Sequence, residues 1–321
     1  MISSSQNQQN PQPTGDINSL ESANYIAAGD SFIGGRSENQ DSFFFYKKNP
    51  SLLFVSVCDG MGGMNGGAIA STTAVVSVHE AIMDMNTESV TEDTLRKLVE
   101  NANAAVYNRA ASDPKLMGMG TTITLLVITR EAAFLAHVGD SRIYLLRNGK
   151  KVYRTFDHSR VFELVDAGVM TEEEARTSNF SNVITRALGI RPNIEATIDK
   201  IPYLEGDRFI LCCDGIWNCL PEREIIKMMG KYDNPAKEVD YLIKSVNKIG
   251  EDNGGGHDNM TVAVIDMKRD SDYQFESEGW IKKLMNKIGL SQITKTKIFT
   301  PLLNLLYSIL LYPYYKSYNS N

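Results

Sequence analysis

Two aspartates in this chain close uninterrupted apolar runs, and each is followed by glycine. Val55-Ser56-Val57-Cys58 leads into Asp59-Gly60, and Ile210-Leu211-Cys212-Cys213 leads into Asp214-Gly215. An isolated Asp-Gly pair is most often a hairpin turn. Here the preceding runs are too continuously apolar for half-exposed hairpin strands. A carboxylate at the end of a buried strand needs a positive partner, and a cation supplies one. The glycine lets a backbone carbonyl approach the same ion. Three more aspartates have similar settings. Asp41 precedes Phe43-Phe44-Phe45, Asp140 lies between two apolar runs in His137-Val138-Gly139-Asp140-Ser141-Arg142, and Asp258 precedes Met260-Thr261-Val262-Ala263-Val264. Singly, each reads as a turn or strand cap; together they form one pattern of acids at strand ends.

Carboxylate oxygens without His or Cys partners select Mg2+ or Mn2+ rather than zinc. The four histidines (His79, His137, His158, His257) are not paired at ligand spacing. The four cysteines (Cys58, Cys212, Cys213, Cys219) form no CxxC pair, lie in or beside apolar runs and read as buried free thiols. Two hard ions bridged by one carboxylate, roughly 3.5–4 Å apart, clamp the attacking and leaving oxygens of an in-line displacement at phosphorus. The net charge of −6 argues against nucleic acid as a general partner. A mildly acidic protein that binds phosphate needs local positive charge, from metal ions or a placed arginine.

The elements that would position these acids are legible in outline. Buried strands are predicted at Leu52–Cys58, Thr121–Ile128, Ala132–Val138, Arg142–Leu146, Phe209–Cys213 and Met260–Ile265. Helices are predicted at Gly67–Met85, Thr91–Ala111, Arg160–Ala167, Pro221–Met229 and Ala236–Lys248, with an imperfect capping box at Thr91 and Asp93/Thr94. Strict βαβα alternation is absent, which excludes a doubly wound sheet. The order suits an α+β fold of antiparallel sheets packed on each other, with helix pairs outside. Residues 1–22, rich in Ser, Gln, Asn and Pro, are expected to be disordered, 23–268 to form the globular domain and 269–321 a separate tail.

Eight pieces, in order, resemble the metal-dependent protein phosphatases (PPM, type 2C), especially their compact bacterial members. They are Arg36-Ser37-Glu38-Asn39-Gln40-Asp41, Val57-Cys58-Asp59-Gly60-Met61-Gly62-Gly63, Gly120-Thr121-Thr122, His137 to Arg142, Asp157-His158-Ser159, Asn182 to Gly189, Cys213-Asp214-Gly215 and Gly256-His257-Asp258-Asn259. The resemblance implies an αββα sandwich of two antiparallel sheets flanked by helix pairs, and serine/threonine protein phosphatase activity with two core Mn2+ or Mg2+ ions and a weaker third. It implies that Asp59 bridges the core ions, that the Gly60 carbonyl ligates one and that Asp214 and Asp258 ligate the other. It implies too that Asp41 holds water beside the ions, that Asp140 holds the third ion together with Asp214, and that Arg36 binds the phosphate. A planar guanidinium suits two phosphate oxygens. Phosphoprotein substrates are the expected partners, with a serine/threonine kinase and its targets among them.

One departure stands out. Some relatives carry histidine two residues after the bridging aspartate as a general acid, and here that position is Met61. His137 and His158 read as packing or hydrogen-bonding residues. The segment from Ser159 to Gly189 corresponds to a mobile flap in the family, with a short helix starting near Thr171. The rival readings are a regulatory protein of the same fold that acts through partner binding, a nuclease, which the missing basic patch disfavours, and a cation-binding module, which lacks EF-hand spacing.

In the tail, Trp280, Ile281, Leu284, Met285 and Ile288 share one helical face while Lys282, Lys283 and Lys287 surround the other. Ile298–Tyr315 then runs 18 residues without charge, interrupted by Pro301, Asn304, Ser308 and Pro313. That composition suits contact with an anionic membrane surface or a protein partner, leaving the catalytic domain in the cytoplasm.

Overall fold

A computed structural model describes residues 17–62, 66–85, 89–178, 180 and 183–268. In chain order its elements are β1 (Asn18–Glu21), β2 (Tyr25–Phe32), β3 (Asp41–Asn49), β4 (Leu52–Met61), α1 (Gly66–Asp84) and α2 (Glu92–Ser112). A 3-10 turn (Pro114–Leu116) precedes β5 (Gly120–Thr121), β6 (Ile123–Ile128), β7 (Ala133–Val138), β8 (Arg142–Arg147) and β9 (Lys150–Arg154). There follow α3 (Arg160–Asp166), α4 (Glu172–Arg176), β10 (Thr197–Ile201), β11 (Arg208–Cys212), α5 (Asp214–Trp217), α6 (Glu222–Met228), α7 (Pro235–Asp252) and β12 (Met260–Met267).

The strands form two antiparallel sheets, ordered β1-β2-β12-β11-β8-β9 and β10-β7-β6-β4-β3, with β5 paired to the end of β4. The continuous apolar runs follow from burial of both sheet faces. In β4, Leu53, Val55 and Val57 point into the core shared with Ile143, Leu145, Phe209 and Leu211 of the facing sheet. Leu52, Phe54 and Cys58, at the alternate positions, point outward into a second core beneath α1 and α2. Side chains alternate along a strand, so a strand covered on both sides must be apolar throughout. Helix α1 presents Ala70, Ala74, Val78 and Ile82 to this outer core, and α2 presents Leu95, Val99, Ala102 and Val106. Small residues on α1 let the helix lie close to the sheet. On the other side α7 turns Val239, Leu242, Ile243 and Val246 toward β2 and β12. The architecture is the expected α+β sandwich, helices outside two antiparallel sheets.

Local signals are realised with small shifts. Thr91 caps α2 through a reciprocal box with Thr94, not with the acid at Asp93. Thr171 caps α4 in the same way with Glu174. The run Thr121–Ile128 is not one strand: it breaks at Thr122, whose hydroxyl is spent on other contacts. Residues 18–21, inside the stretch expected to be disordered, form β1 on the edge of β2. The tail, 269–321, lies outside the described residues, and among the described residues no helix is long and apolar enough to cross a membrane.

Candidate active site

Antiparallel pairing gathers the five aspartates at one end of the sandwich. Asp41 opens β3, Asp59 lies near the end of β4, and the two are direct partners in the β3–β4 register. Asp140 sits in the β7–β8 turn, Asp214 lies two residues past the end of β11 and opens α5, and Asp258 lies two residues before β12. Neither Asp-Gly pair is a hairpin turn. Each glycine is demanded by close backbone approach: a Cβ at Gly60 would strike the Gly67 carbonyl of α1, and one at Gly215 would strike the Asn259 carbonyl.

Asp59 is held through its backbone. Its N–H donates to Thr122 Oγ1 at 2.9 Å, and its carbonyl accepts from the Thr122 N–H at 2.8 Å and from Thr121 Oγ1 at 2.9 Å. Thr122 also reaches Ser141 Oγ at 2.8 Å, which links the Asp59 strand to the Asp140 turn. The Asp41 carboxylate accepts from Thr261 Oγ1 at 2.6 Å. Behind it Ser31 hydrogen-bonds Thr261, and Asn39 donates to Ser31, so a relay of hydroxyls and an amide fixes the acid's orientation. One ligand atom each from Asp41, Asp59 and Cys213 lies within 4.8 Å of the others.

Asn259, just before β12, ties that strand to the loop that carries Arg36. Its Oδ1 accepts from the Gln40 N–H at 2.9 Å, and its Nδ2 donates to the Ile33 and Glu38 carbonyls at 2.8 and 2.9 Å. Arg36, carried by this loop, donates from Nη2 to Asp258 Oδ2 at 2.8 Å. With side-chain exposures of 52 % and 42 %, these two residues form the solvent-facing mouth. Around the Asp140 turn, Trp217 Nε1 donates to the Asp140 carbonyl at 3.0 Å. The indole lies 3.8 Å from the Arg142 guanidinium, which forms a buried bidentate pair with Asp157.

The electrostatics follow from this crowding. Burial, then Asp41, Asp214, Asp140 and Asp258, push Asp59 well above the carboxylate range. Burial, outweighing hydrogen bonds from Thr261 and Cys213, lifts Asp41 from 3.8 to about 7, and burial with Asp258 lifts Asp214 to about 6. Asp140 is raised well above 3.8 by burial and Asp214. A set of converging carboxylates only partly offset by Arg36 at the rim and the already paired Arg142 behind fits hard divalent cations, which supply the positive charge the acids need.

The histidines stay out of the mouth. His137 and His158 stack at 4.4 Å behind the Asp140 turn. His158 Nδ1 accepts from the Gly139 N–H, which leaves its Nε2 proton to donate to Thr197 Oγ1. Burial, then His137, lowers His158 to about 3, so it is neutral. Met61, two residues after Asp59, brings its terminal methyl against Gly120 and offers no proton at that position. Sequence reasoning gave no role to Thr121, Thr122, Asn259 or Thr261, although the first three stand inside quoted motifs. Nor did it place Cys213, one of the expected buried thiols, beside Asp41 and Asp59.

Residues 28–248 match the family described as Protein phosphatase 2C. The chain is 32 % identical over 234 residues to the serine/threonine phosphatase stp of Listeria monocytogenes, covering 72 % of this chain and 91 % of that one. It is 33 % identical over 237 residues to the protein phosphatase PhpP of Streptococcus pneumoniae, covering 73 % and 94 %. The crystal structure of the catalytic domain of the serine/threonine protein phosphatase PstP in complex with 2 manganese ions superposes with a TM-score of 0.65 at 31 % identity, covering 77 % of this chain and 99 % of that one.

Proposed function

The chain belongs to the protein phosphatase 2C family and is a serine/threonine protein phosphatase, and we propose that it hydrolyses phosphoserine and phosphothreonine at the mouth formed by Arg36 and the five aspartates. The observation that carries this is the convergence of Asp41, Asp59, Asp140, Asp214 and Asp258 beside a solvent-facing arginine.

Asp59, the Gly60 carbonyl, Asp214 and Asp258 would hold two core Mn2+ or Mg2+ ions, and Asp140 with Asp214 a weaker third. When bound, such ions supply Lewis acidity, activating water and offsetting phosphoryl charge. The chain's own groups do the rest. Arg36 leaves Asp258 for the phosphate, its fork spanning two oxygens. Asp41, aimed by Thr261, orients the attacking water and takes up its proton. Thr121 and Thr122 fix the Asp59 backbone, and Asn259 holds the Arg36 loop at a constant distance from Asp258. With Met61 at the rim, no side chain among the described residues is assigned to protonate the leaving alkoxide, and water does so.

The catalytic domain runs over residues 18–268, β1 included, acts in the cytoplasm, and counts a serine/threonine kinase and its targets among its substrates. The tail, 269–321, tethers it to a membrane surface or a protein partner. The test is hydrolysis of phosphothreonine peptides with Mn2+ and with EDTA. Turnover requires the cation and is nearly abolished by Asp59→Asn or Asp214→Asn; full activity of either variant, or of EDTA-treated protein, contradicts the assignment.

A further inference from the structure

Beside the mouth lies a groove that the reaction itself does not use. It is a cavity of about 330 Å³ lined by Thr185, Arg186, Ala187, Ile190, Arg191 and Ile194, among others. Its wall continues the catalytic strands sideways. Gly60 pairs with Thr121 across β4 and β5, and Thr121 pairs in turn with Leu188. Ile190 contacts the position where a Cβ on Gly120 would stand, next to Met61. Two strand spacings of about 4.8 Å put the near edge of the groove roughly 10 Å from the Asp59–Gly60 backbone.

The wall is rigid. Asn103, a buried residue of α2, donates from Nδ2 to the Arg191 and Pro192 carbonyls at 3.0 and 3.1 Å and accepts the Gly189 N–H at 2.9 Å. Gly189 takes φ +83°, with Val106 packed where a side chain would go. The two arginines of the groove differ in charge balance. Arg186 faces Glu195, with its guanidinium 4.0 Å from that carboxylate and 3.4 Å from its carbonyl. The exposed Arg191 guanidinium has neither an ion pair nor a hydrogen bond among the described residues. On a chain of net charge −6, a pinned loop thus presents one uncompensated cation beside apolar Ile190 and Ile194.

We propose that this groove is a substrate subsite in which Arg191 binds an anionic group, a carboxylate or a second phosphate, on the peptide that carries the phosphoresidue. The assignment rests on the phosphatase reading above. An extended peptide advances about 3.3 Å per residue, so the anion lies about three to five residues from the phosphoresidue.

Phosphothreonine peptides carrying alanine, glutamate or phosphoserine at each position in that range, on either side, test it, with p-nitrophenyl phosphate as the substrate that cannot reach the groove. At one or more positions the anionic peptides exceed the alanine peptide by about three- to ten-fold in kcat/KM, mostly through KM, and the gain shrinks in high salt. Arg191→Ala removes the gain and Arg191→Glu inverts it, while hydrolysis of p-nitrophenyl phosphate is unchanged in both variants. Preference for phosphoserine over glutamate assigns a phosphate subsite, and equal preference an acidic one. If the wild type turns over every peptide alike, or the gain survives Arg191→Glu, the subsite is wrong and the phosphatase stands. If no substrate is turned over, both fall.

Discussion

The site should trade stability for cation affinity, and Asp59→Asn exposes the trade. Ligand atoms of Asp59 and Asp41 lie within 4.8 Å of one another. At an effective dielectric of about 20, two full charges at that separation repel by roughly 3.5 kcal/mol. Asparagine keeps the shape and removes the charge, and its amide can donate to the carboxylates that crowd it. Burial and the neighbouring acids hold Asp59 well above 3.8 when folded. A carboxyl whose pKa is higher folded than unfolded binds its proton more tightly in the folded state. Its cost is therefore absent below about pH 4 and grows as pH rises toward the folded value. In EDTA at pH 8, Asp59→Asn melts above wild type by roughly 7–14 °C, taking about 2–4 °C per kcal/mol for a domain of this size. At pH 5 the advantage falls to about half or less. Mn2+ at about a thousand times its Kd reverses the order, because it adds about 4.1 kcal/mol to the protein that binds it, more than the repulsion that Asp59→Asn relieves. Calorimetry of both proteins at the two pH values, with EDTA and with Mn2+, decides the matter. A variant less stable than wild type in EDTA at pH 8, or an advantage that does not depend on pH, refutes the electrostatic account.

Arg36→Ala raises KM for a phosphopeptide about ten-fold or more while leaving Mn2+ affinity unchanged or tighter, because Asp258 loses its ion-pair partner on the rim; kinetics alongside metal titration separate the two, and a large loss of metal affinity at constant KM would reverse the assignment. Asp140→Ala lowers turnover yet keeps two ions, which a crystal structure with Mn2+ checks; three ions in that variant would contradict it. Asp157→Asn strands the Arg142 guanidinium, whose side chain is 4 % exposed, and costs about 3–5 kcal/mol in urea unfolding. A chain ending at Lys268 keeps its activity and, unlike the full chain, does not float with anionic liposomes; flotation of neither form makes the tail a protein-docking element, and failure to fold places it in the core.

Legibility in the sequence tracked burial. Strands β4, β6, β7, β11 and β12 are covered on both faces and read as unbroken apolar runs. β9, with Lys150, Lys151 and Val152 exposed, and β10, with one buried residue in five, carry no such run and escape a pattern search. β1 escaped because Asn18-Ser19-Leu20-Glu21 has the composition of a disordered leader and is a strand only through pairing with β2. The five aspartates were legible because charge at the end of an apolar strand is costly and therefore conspicuous. Thr122, Thr261 and Asn259 were not, since a hydroxyl or amide near a glycine is explained equally well by a local turn, and only the fold shows that each one spans two strands or loops.

Those neutral residues explain why the acids can converge at all. Every anchor that aims an aspartate leaves its charge intact: Thr122 and Thr121 grip the Asp59 backbone, Trp217 grips the Asp140 carbonyl, and Asn259 grips the loop on either side of Arg36. Thr261 does touch the Asp41 carboxylate, but as a neutral donor it orients the acid without cancelling it. A lysine or arginine in any of these places would have stabilised the fold and competed with the cation for the same carboxylates. Arg142 lies buried behind Asp140 and Asp214 with its charge paired to Asp157, and the arginine in front is Arg36, at the mouth and half exposed, where an incoming phosphate can draw it from Asp258. Neutral clamps behind and a single displaceable cation in front keep the acids repelling one another until divalent cations and substrate neutralise them.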